Sequence, residues 1–313
     1  MSFQEILNTY KEKSQNERDK GSRFEQLMKR YLLSDPLYAN NLSEVWLWNE
    51  FPYKDNFGGV DLGIDLVAFT NDEQYWAIQC KFYDEKTNIN VDDVSHFIAN
   101  ANRTFKDANN NTVGFSLCLW IDTKKNFGKN AEQLIKNQKI EFNRIGFTKL
   151  SKADVDWQKL AKGESGQAVL LAKKEPRAHQ QKAINLAREY FKTHDRGKLI
   201  MACGTGKTYT ALKIVEQTTK NNGFALFLVP SIALLSQTLK AWSADSITRI
   251  YPICICSDAS SSKVNKTDDT TIDLPFPATT DVETAIRQYH YQRKQQLSRG
   301  GGYCNCIFHV SIH

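Results

Sequence analysis

One run of eight residues, Met201-Ala202-Cys203-Gly204-Thr205-Gly206-Lys207-Thr208, constrains this 313-residue chain more than any other feature. Two apolar residues suited to a strand, Leu199 and Ile200, precede it, and a helix-forming stretch with Ala211, Leu212, Ile214 and Val215 follows. Strand, glycine loop and helix in that order form a cradle for phosphate. The glycines let backbone N–H groups turn toward an anion, and the helix start favours negative charge. Gly204, Thr205, Gly206 and Lys207 are expected to hold the phosphates of ATP, with Lys207 on the β/γ oxygens and Thr208 on Mg²⁺. Hydrolysis also needs an acidic motif at the end of a later strand. Downstream there is only Asp268-Asp269, in a Thr-rich polar tract. The expectation is a nucleotide-binding domain cut short, with ATP binding weak or lost and ATP hydrolysis absent.

The length suits two domains, each able to bury its own core. The chain is 41% hydrophobic and 24% charged, ordinary for a globular protein. A net charge of +6 and a pI near 8.8 permit contact with a nucleic-acid backbone without demanding it. No apolar run approaches the roughly 18 residues of a membrane span, so no membrane partner is expected. The first 20 residues are too polar for a secretion signal. Seven scattered cysteines suggest no disulfide framework, which makes the cytoplasm the expected location.

Periodicity predicts mixed α/β structure throughout. Phe3, Ile6, Leu7 and Tyr10 fall at helical spacing, as do Phe24, Leu27, Met28, Tyr31 and Leu32. Residues 45–48 read as a strand, 113–121 as a buried strand, and Val94, Phe97, Ile98, Ala101 and Phe105 as one helix face. Residues 1–157 form the first expected domain, 158–176 a linker and 177–302 the second domain. The tail, 303–313, fits neither.

The segment from Ile64 to Phe82 carries the second chemical signal. It reads as a hairpin turning at Asn71-Asp72-Glu73. If Phe69 pairs with Tyr75, Asp65 falls opposite Gln79, and Gln79 and Lys81 share its face. A carboxylate with amide oxygen suits a hard ion such as Mg²⁺, and a nearby lysine can offset charge on a phosphate under attack. Spacing alone favours the plainer reading, a surface hairpin with an ordinary Asp and Lys. Asp61 is either an adjacent acid or a turn residue.

Gly63-Ile64-Asp65-Leu66-Val67-Ala68, followed by Ala77-Ile78-Gln79-Cys80-Lys81, resembles the Mrr-like branch of PD-(D/E)xK restriction endonucleases. Lys20-Gly21-Ser22-Arg23-Phe24-Glu25 resembles the opening helix of that branch. The resemblance implies metal binding by Asp65, a site completed by Gln79, water assisted by Lys81, and Glu25 as an auxiliary ligand. Pro176-Arg177-Ala178-His179-Gln180-Gln181 resembles the element by which superfamily 2 helicases read adenine, with Gln180 as the reader. Val229-Pro230-Ser231, with Leu234 and Gln237, resembles the next helicase motif. Nuclease followed by helicase-like ATPase resembles the start of single-polypeptide, ATP-dependent (type ISP) restriction–modification enzymes. The implied fold is a restriction-endonuclease-like α/β sheet domain, then an incomplete RecA-like parallel α/β domain.

The implied function is Mg²⁺-dependent cleavage of double-stranded DNA, with a dimer as one route to double-strand cutting. The competing reading is a catalytically silent remnant, or a DNA-binding protein without turnover. In the tail, Cys304-x-Cys306 with His309 and His313, and Cys254-x-Cys256, invites a zinc reading, although the gap to His309 is too short for an ordinary finger. A frameshift explains the tail better. A one-base shift of a permitted coding sequence yields Val-Ile-Ala-Phe-Ser-Thr-Tyr-Gln-Ser-Ile, which resembles an ATPase strand and turn.

Overall fold

The periodic apolar residues of the N-terminus are all buried, on a helix α1 (Phe3–Lys13) whose start is sealed by reciprocal hydrogen bonds between Ser2 and Glu5. The computed structural model describes residues 1–58, 62–84, 86–136, 138–219, 223–255, 274, 278–299 and 303–310. Asp61 and the polar tract with Asp268 and Asp269 lie outside them. The chain divides into two compact units, the first spanning Met1–Leu171 and the second beginning at Ala172.

In the first unit, the Asn16 side chain caps α2 (Glu17–Ser34) by accepting from the Asp19 N–H. The helix stops at Asp35, which caps the short α3 (Pro36–Ala39), opened by its proline. Next come β1 (Leu42–Leu47), β2 (Leu66–Thr70), β3 (Tyr75–Lys81) and α4 (Val91–Ala101). They are followed by β4 (Thr104–Lys106), β5 (Thr112–Asp122), α5 (Lys129–Leu134), β6 (Glu141–Ile145), α6 (Phe147–Ser151) and α7 (Trp157–Ala161). Six strands make one mixed sheet in the order β1-β2-β3-β5-β4, with β6 also on β5. β1, β2 and β3 pair antiparallel, whereas β3–β5 and β5–β6 are parallel.

Parallel neighbours require a long crossover, here the segment carrying α4. Its Val94, Phe97 and Ile98 join Val67, Tyr75, Ala77 and Trp120 in one core. Phe105, read from the sequence as part of that helix face, instead sits on β4. The helix ends at Ala101, and Phe105 packs among Phe51, Phe57 and Phe115.

The expected linker needs correction. Trp157, Leu160 and Val169 are buried in the first unit, and Val155 bridges Leu170. The Trp157 ring stacks on Tyr31 at 5.4 Å and meets Phe3 at 4.6 Å. A large aromatic packed on two helices is core, so residues 158–170 belong to the first unit rather than to a connection.

The second unit contains α8 (Ala178–Tyr190), α9 (Lys207–Thr219), β7 (Gly223–Val229), α10 (Ile232–Asp245), β8 (Arg249–Ile255), α11 (Val282–Arg299) and β9 (Tyr303–Val310). Among the described residues its three strands are all parallel, with β9 between β7 and β8. Residues 303–310, set apart in the sequence reading, therefore form the middle strand of this sheet. Leu199 and Ile200 do not form the expected strand. They run exposed and outside the β-ladders among the described residues, Ile200 at 91%. Phe224, Leu226 and Leu228 alternate along β7 and are exposed too. Among the described residues no helix is long and apolar enough to cross a membrane.

Trp157→Ala should destabilise the first unit by about 3–5 kcal/mol, as for other buried aromatics. Equilibrium denaturation followed by the fluorescence of the remaining tryptophans would measure it, and a true linker would show no loss.

Candidate functional site

Hairpin register sets the first site. Phe69 pairs with Tyr75 and the regular ladder continues to Leu66 opposite Ile78. It then becomes irregular, in the manner of a β-bulge. The Asp65 N–H donates to Ile78 O at 2.9 Å, and the Asp65 O accepts from the Trp48 N–H at 2.8 Å. Its side chain closes across β3, with Oδ2 accepting from the Cys80 N–H at 2.7 Å. Asp65 thus lies just past the last regular pair instead of in an undisturbed pair with Gln79, and its carboxylate is tied to the β3 backbone.

Gln79 is buried at 3% exposure, and its Oε1 has no hydrogen-bond partner among the described residues. An orphaned buried amide oxygen is costly, by about 1–3 kcal/mol, unless something outside the chain binds it. The amide nitrogen faces Gly63. A Cβ there would sit 3.2 Å from Gln79 Nε2 and 3.3 Å from His96 Nδ1. Gly63 also has φ +62°, so both space and backbone demand glycine.

Lys81 Nζ lies 3.3 Å from Asp93 Oδ2 on α4, both side chains being about one-third exposed. Such a pair is worth no more than about 1 kcal/mol, so Lys81 can exchange Asp93 for another anion at little cost. Glu25, on α2, completes the surroundings. Burial raises its pKa above the ordinary carboxylate value, while the Lys81 charge opposes the shift. Burial, then the Asp65 and Glu25 charges, push the Cys80 thiol well up. Asp65, Glu25 and Lys81 therefore all surround the end of β3, with Gln79 one step earlier on the strand.

Among the described residues no three His, Cys, Asp or Glu side chains gather as a metal site. A cation here would draw on one or two carboxylates, the Gln79 oxygen and water, a donor set that suits Mg²⁺. The orphaned Oε1 is the observation that makes the residues fit. Of the zinc candidates, Cys256 and His313 lie outside the described residues, as do the side chains of Cys304, Cys306 and His309.

Sequence reasoning missed Asp93, His96 and a buried pair at the same end of the sheet. Asp93 and His96 are three residues apart on α4, a spacing that places them together on a helix surface. Asp122, opposite Lys81 in the β3–β5 register, is fully buried and bidentate to Arg144, with Nε–Oδ2 at 2.7 Å and Nη2–Oδ1 at 2.9 Å. Burial raises the Asp122 pKa, and Arg144 counters it. The guanidinium also covers Gly146, where a Cβ would approach Arg144 Cζ to 2.7 Å. Lone charges separated by 22 residues give no spacing signal.

The second site is the glycine loop. Gly204 and Gly206 have φ of +76° and +83°, the conformation that glycine adopts without strain. α9 starts at Lys207, so the loop leads into a helix N-terminus. Gln180 is buried and bridges two segments: Oε1 accepts from the Arg177 N–H at 2.9 Å, and Nε2 donates to Thr205 O at 3.0 Å. Lys207 Nζ folds back on the carbonyls of Met201 and Ala202 at 3.4 and 3.3 Å. The Thr208 carbonyl accepts from buried Trp242 Nε1 at 2.9 Å, which anchors the first turn of α9.

Residues 33–167 match the family model of a restriction endonuclease, and residues 173–299 match that of the type III restriction enzyme, res subunit. No curated protein matches the chain. Among solved structures it is similar to the ATP-dependent Type ISP restriction-modification enzyme LlaBIII bound to DNA, with a TM-score of 0.76 and 27% identity. That alignment covers 99% of this chain and 18% of LlaBIII, so the chain spans a minor part of that enzyme's length. A nuclease-deletion mutant of the Type ISP enzyme LlaGI, in complex with a DNA substrate mimic, aligns over 44% of this chain and 13% of its own, at 38% identity and a TM-score of 0.35.

Gly63→Ala should cost roughly 1–2 kcal/mol through the left-handed backbone alone, and the new methyl would displace the Gln79 amide. Urea titration, compared with Gly58→Ala at an open positive-φ position, would separate the two effects.

Proposed function

We propose that this chain, which joins a restriction endonuclease domain to a helicase-like domain of restriction enzymes, cleaves DNA phosphodiester bonds with Mg²⁺ in its first unit and binds ATP in its second. The observation that carries the nuclease reading is the buried, unpartnered Gln79 Oε1 beside a carboxylate already fixed to β3. The likeness to LlaBIII, solved bound to DNA, supports DNA as substrate.

Bound Mg²⁺ supplies positive charge that polarises a phosphate and lowers the pKa of water. Asp65 and Gln79 hold the cation, and Glu25 is an auxiliary ligand. The Cys80 N–H keeps the Asp65 carboxylate aimed, so little reorganisation is needed when charge develops. Lys81 leaves Asp93, orients the attacking water and offsets negative charge on the phosphate. Asp93 acts as a placeholder that keeps the Lys81 ammonium near the end of β3. A second reading is DNA binding without turnover, which would hold where bound DNA does not draw Lys81 away from Asp93.

In the second unit, Gly204, Thr205, Gly206 and Lys207 bind the nucleotide phosphates, Thr208 ligates its Mg²⁺, and Gln180 reads the adenine edge by exchanging its bonds to the Arg177 N–H and Thr205 O. Nucleotide binding then requires Lys207 to exchange its two carbonyl contacts for phosphate oxygens.

With supercoiled plasmid and Mg²⁺, Asp65→Ala and Lys81→Ala should each lower nicking by roughly 10²-fold or more. Asp93→Ala should leave it active. Wild-type protein that binds plasmid and never nicks it would favour the non-catalytic reading. Separately, Lys207→Ala should abolish binding of a fluorescent ATP analogue and leave nicking unchanged, measured by anisotropy and by gel.

A further inference from the structure

Immediately past Lys81, the chain opens into a groove of about 740 Å³ that Asp65, Gln79 and Lys81 do not line. Because β3 and β5 are parallel, they end on the same side, with Lys81 opposite Asp122. The residues that follow, Phe82-Tyr83 and Thr123-Lys124, therefore floor one groove next to the proposed cation site. Its charge comes from four lysines: Lys11 on α1, Lys124 and Lys125 after β5, and Lys129 at the start of α5. Among the described residues no Asp or Glu lines it, and four side-chain amides, Gln4, Asn88, Asn126 and Asn130, supply further donors.

The lysines are not equivalent. Lys11 is paired with Asp84 at 3.4 Å, and Lys124 Nζ donates to Asp84 O at 3.2 Å. Lys125 and Lys129 are exposed, and neither makes an ion pair among the described residues. Like charges in one groove repel one another, and binding a polyanion relieves that repulsion. In a chain with a net charge of only +6, four lysines share a groove whose described lining holds no acid, although Asp84 at its edge pairs with Lys11, and two of the four stay free to meet a phosphate backbone.

We propose that this groove binds consecutive phosphates of a DNA strand and holds the duplex beside the β3 site, with Lys125 and Lys129 as the principal contacts. The assignment rests on the reading of the first unit as a DNA nuclease. Backbone contacts of this kind position a duplex without reading its sequence. The groove would therefore set where along a strand the cut falls and contribute no base preference.

The test uses the full chain and a labelled duplex, with anisotropy measured over a salt series in Ca²⁺ to suppress cleavage. The variants are Lys125→Glu/Lys129→Glu, the charge-matched control Lys13→Glu/Lys162→Glu, and Asp65→Ala. All four lysines are exposed, so folding should be retained, as circular dichroism would verify. The groove variant should flatten the dependence of log K on log salt by about two, roughly one per lysine. The control should keep the wild-type slope, whereas Asp65→Ala reports separately on the cation site. An unchanged slope in the groove variant, an equal loss in the control, or no duplex binding by wild type at low salt would overturn the proposal. Failure of the nuclease reading shows differently, as absence of Mg²⁺-dependent nicking while the groove-dependent slope persists.

Discussion

Three hydrogen bonds tie Asp65, just before β2, to the segment after β1 and to β3. Its carbonyl accepts from Trp48 after β1, its N–H donates to Ile78 on β3, and its side chain accepts from Cys80 on β3. Each bond is ordinary in strength, about 1 kcal/mol net, rather more for the charged one. Their joint effect is geometric. A carboxylate on a loop would sample many positions, whereas this one is held where the β2–β3 ladder loses its regular register. Gly63 makes the turn into that position, and its missing side chain leaves room for the Gln79 amide and His96. Removing any of these would loosen the others.

The same end of the sheet is stiffened from the other side by Asp122 and Arg144. Two buried charges cost several kcal/mol each to desolvate, and their bidentate pairing recovers that cost only when the geometry is good. Here Arg144 satisfies both carboxylate oxygens, the Lys124 N–H adds a third bond, and Phe127 lies 5.2 Å from the guanidinium. A buried pair of this kind is weak evidence for stability and better evidence for position. It fixes where β5 ends, and thereby where the lysine-bearing segment after it begins.

In the second unit, Gln180 ties the helix start at Arg177 to the glycine loop at Thr205, and a Cβ at Gly206 would overlap its amide. The loop and the preceding helix are thus one rigid piece around the candidate nucleotide site. The apolar residues left exposed on β7 contrast with this. They are consistent with an open face of the sheet, since alternate residues of a strand point to opposite sides.

What the residues determined by themselves were local matters: helices with apolar faces, the β2–β3 register set by a three-residue turn, and a glycine loop ahead of a helix. These follow from neighbours within a few positions, so periodicity and turn chemistry suffice to read them. Only the tertiary structure decided that Trp157 packs on Phe3 and Tyr31, that residues 303–310 lie between β7 and β8, and that Leu199 and Ile200 stay outside the β-ladders among the described residues. It alone brought Asp93 to Lys81, Asp122 to Arg144, and lysines from positions 11 and 124–129 to one groove. The reason is physical. Which distant segments meet depends on crossovers and burial summed over the whole chain, and a charged residue carries no mark of the partner that folding will bring to it.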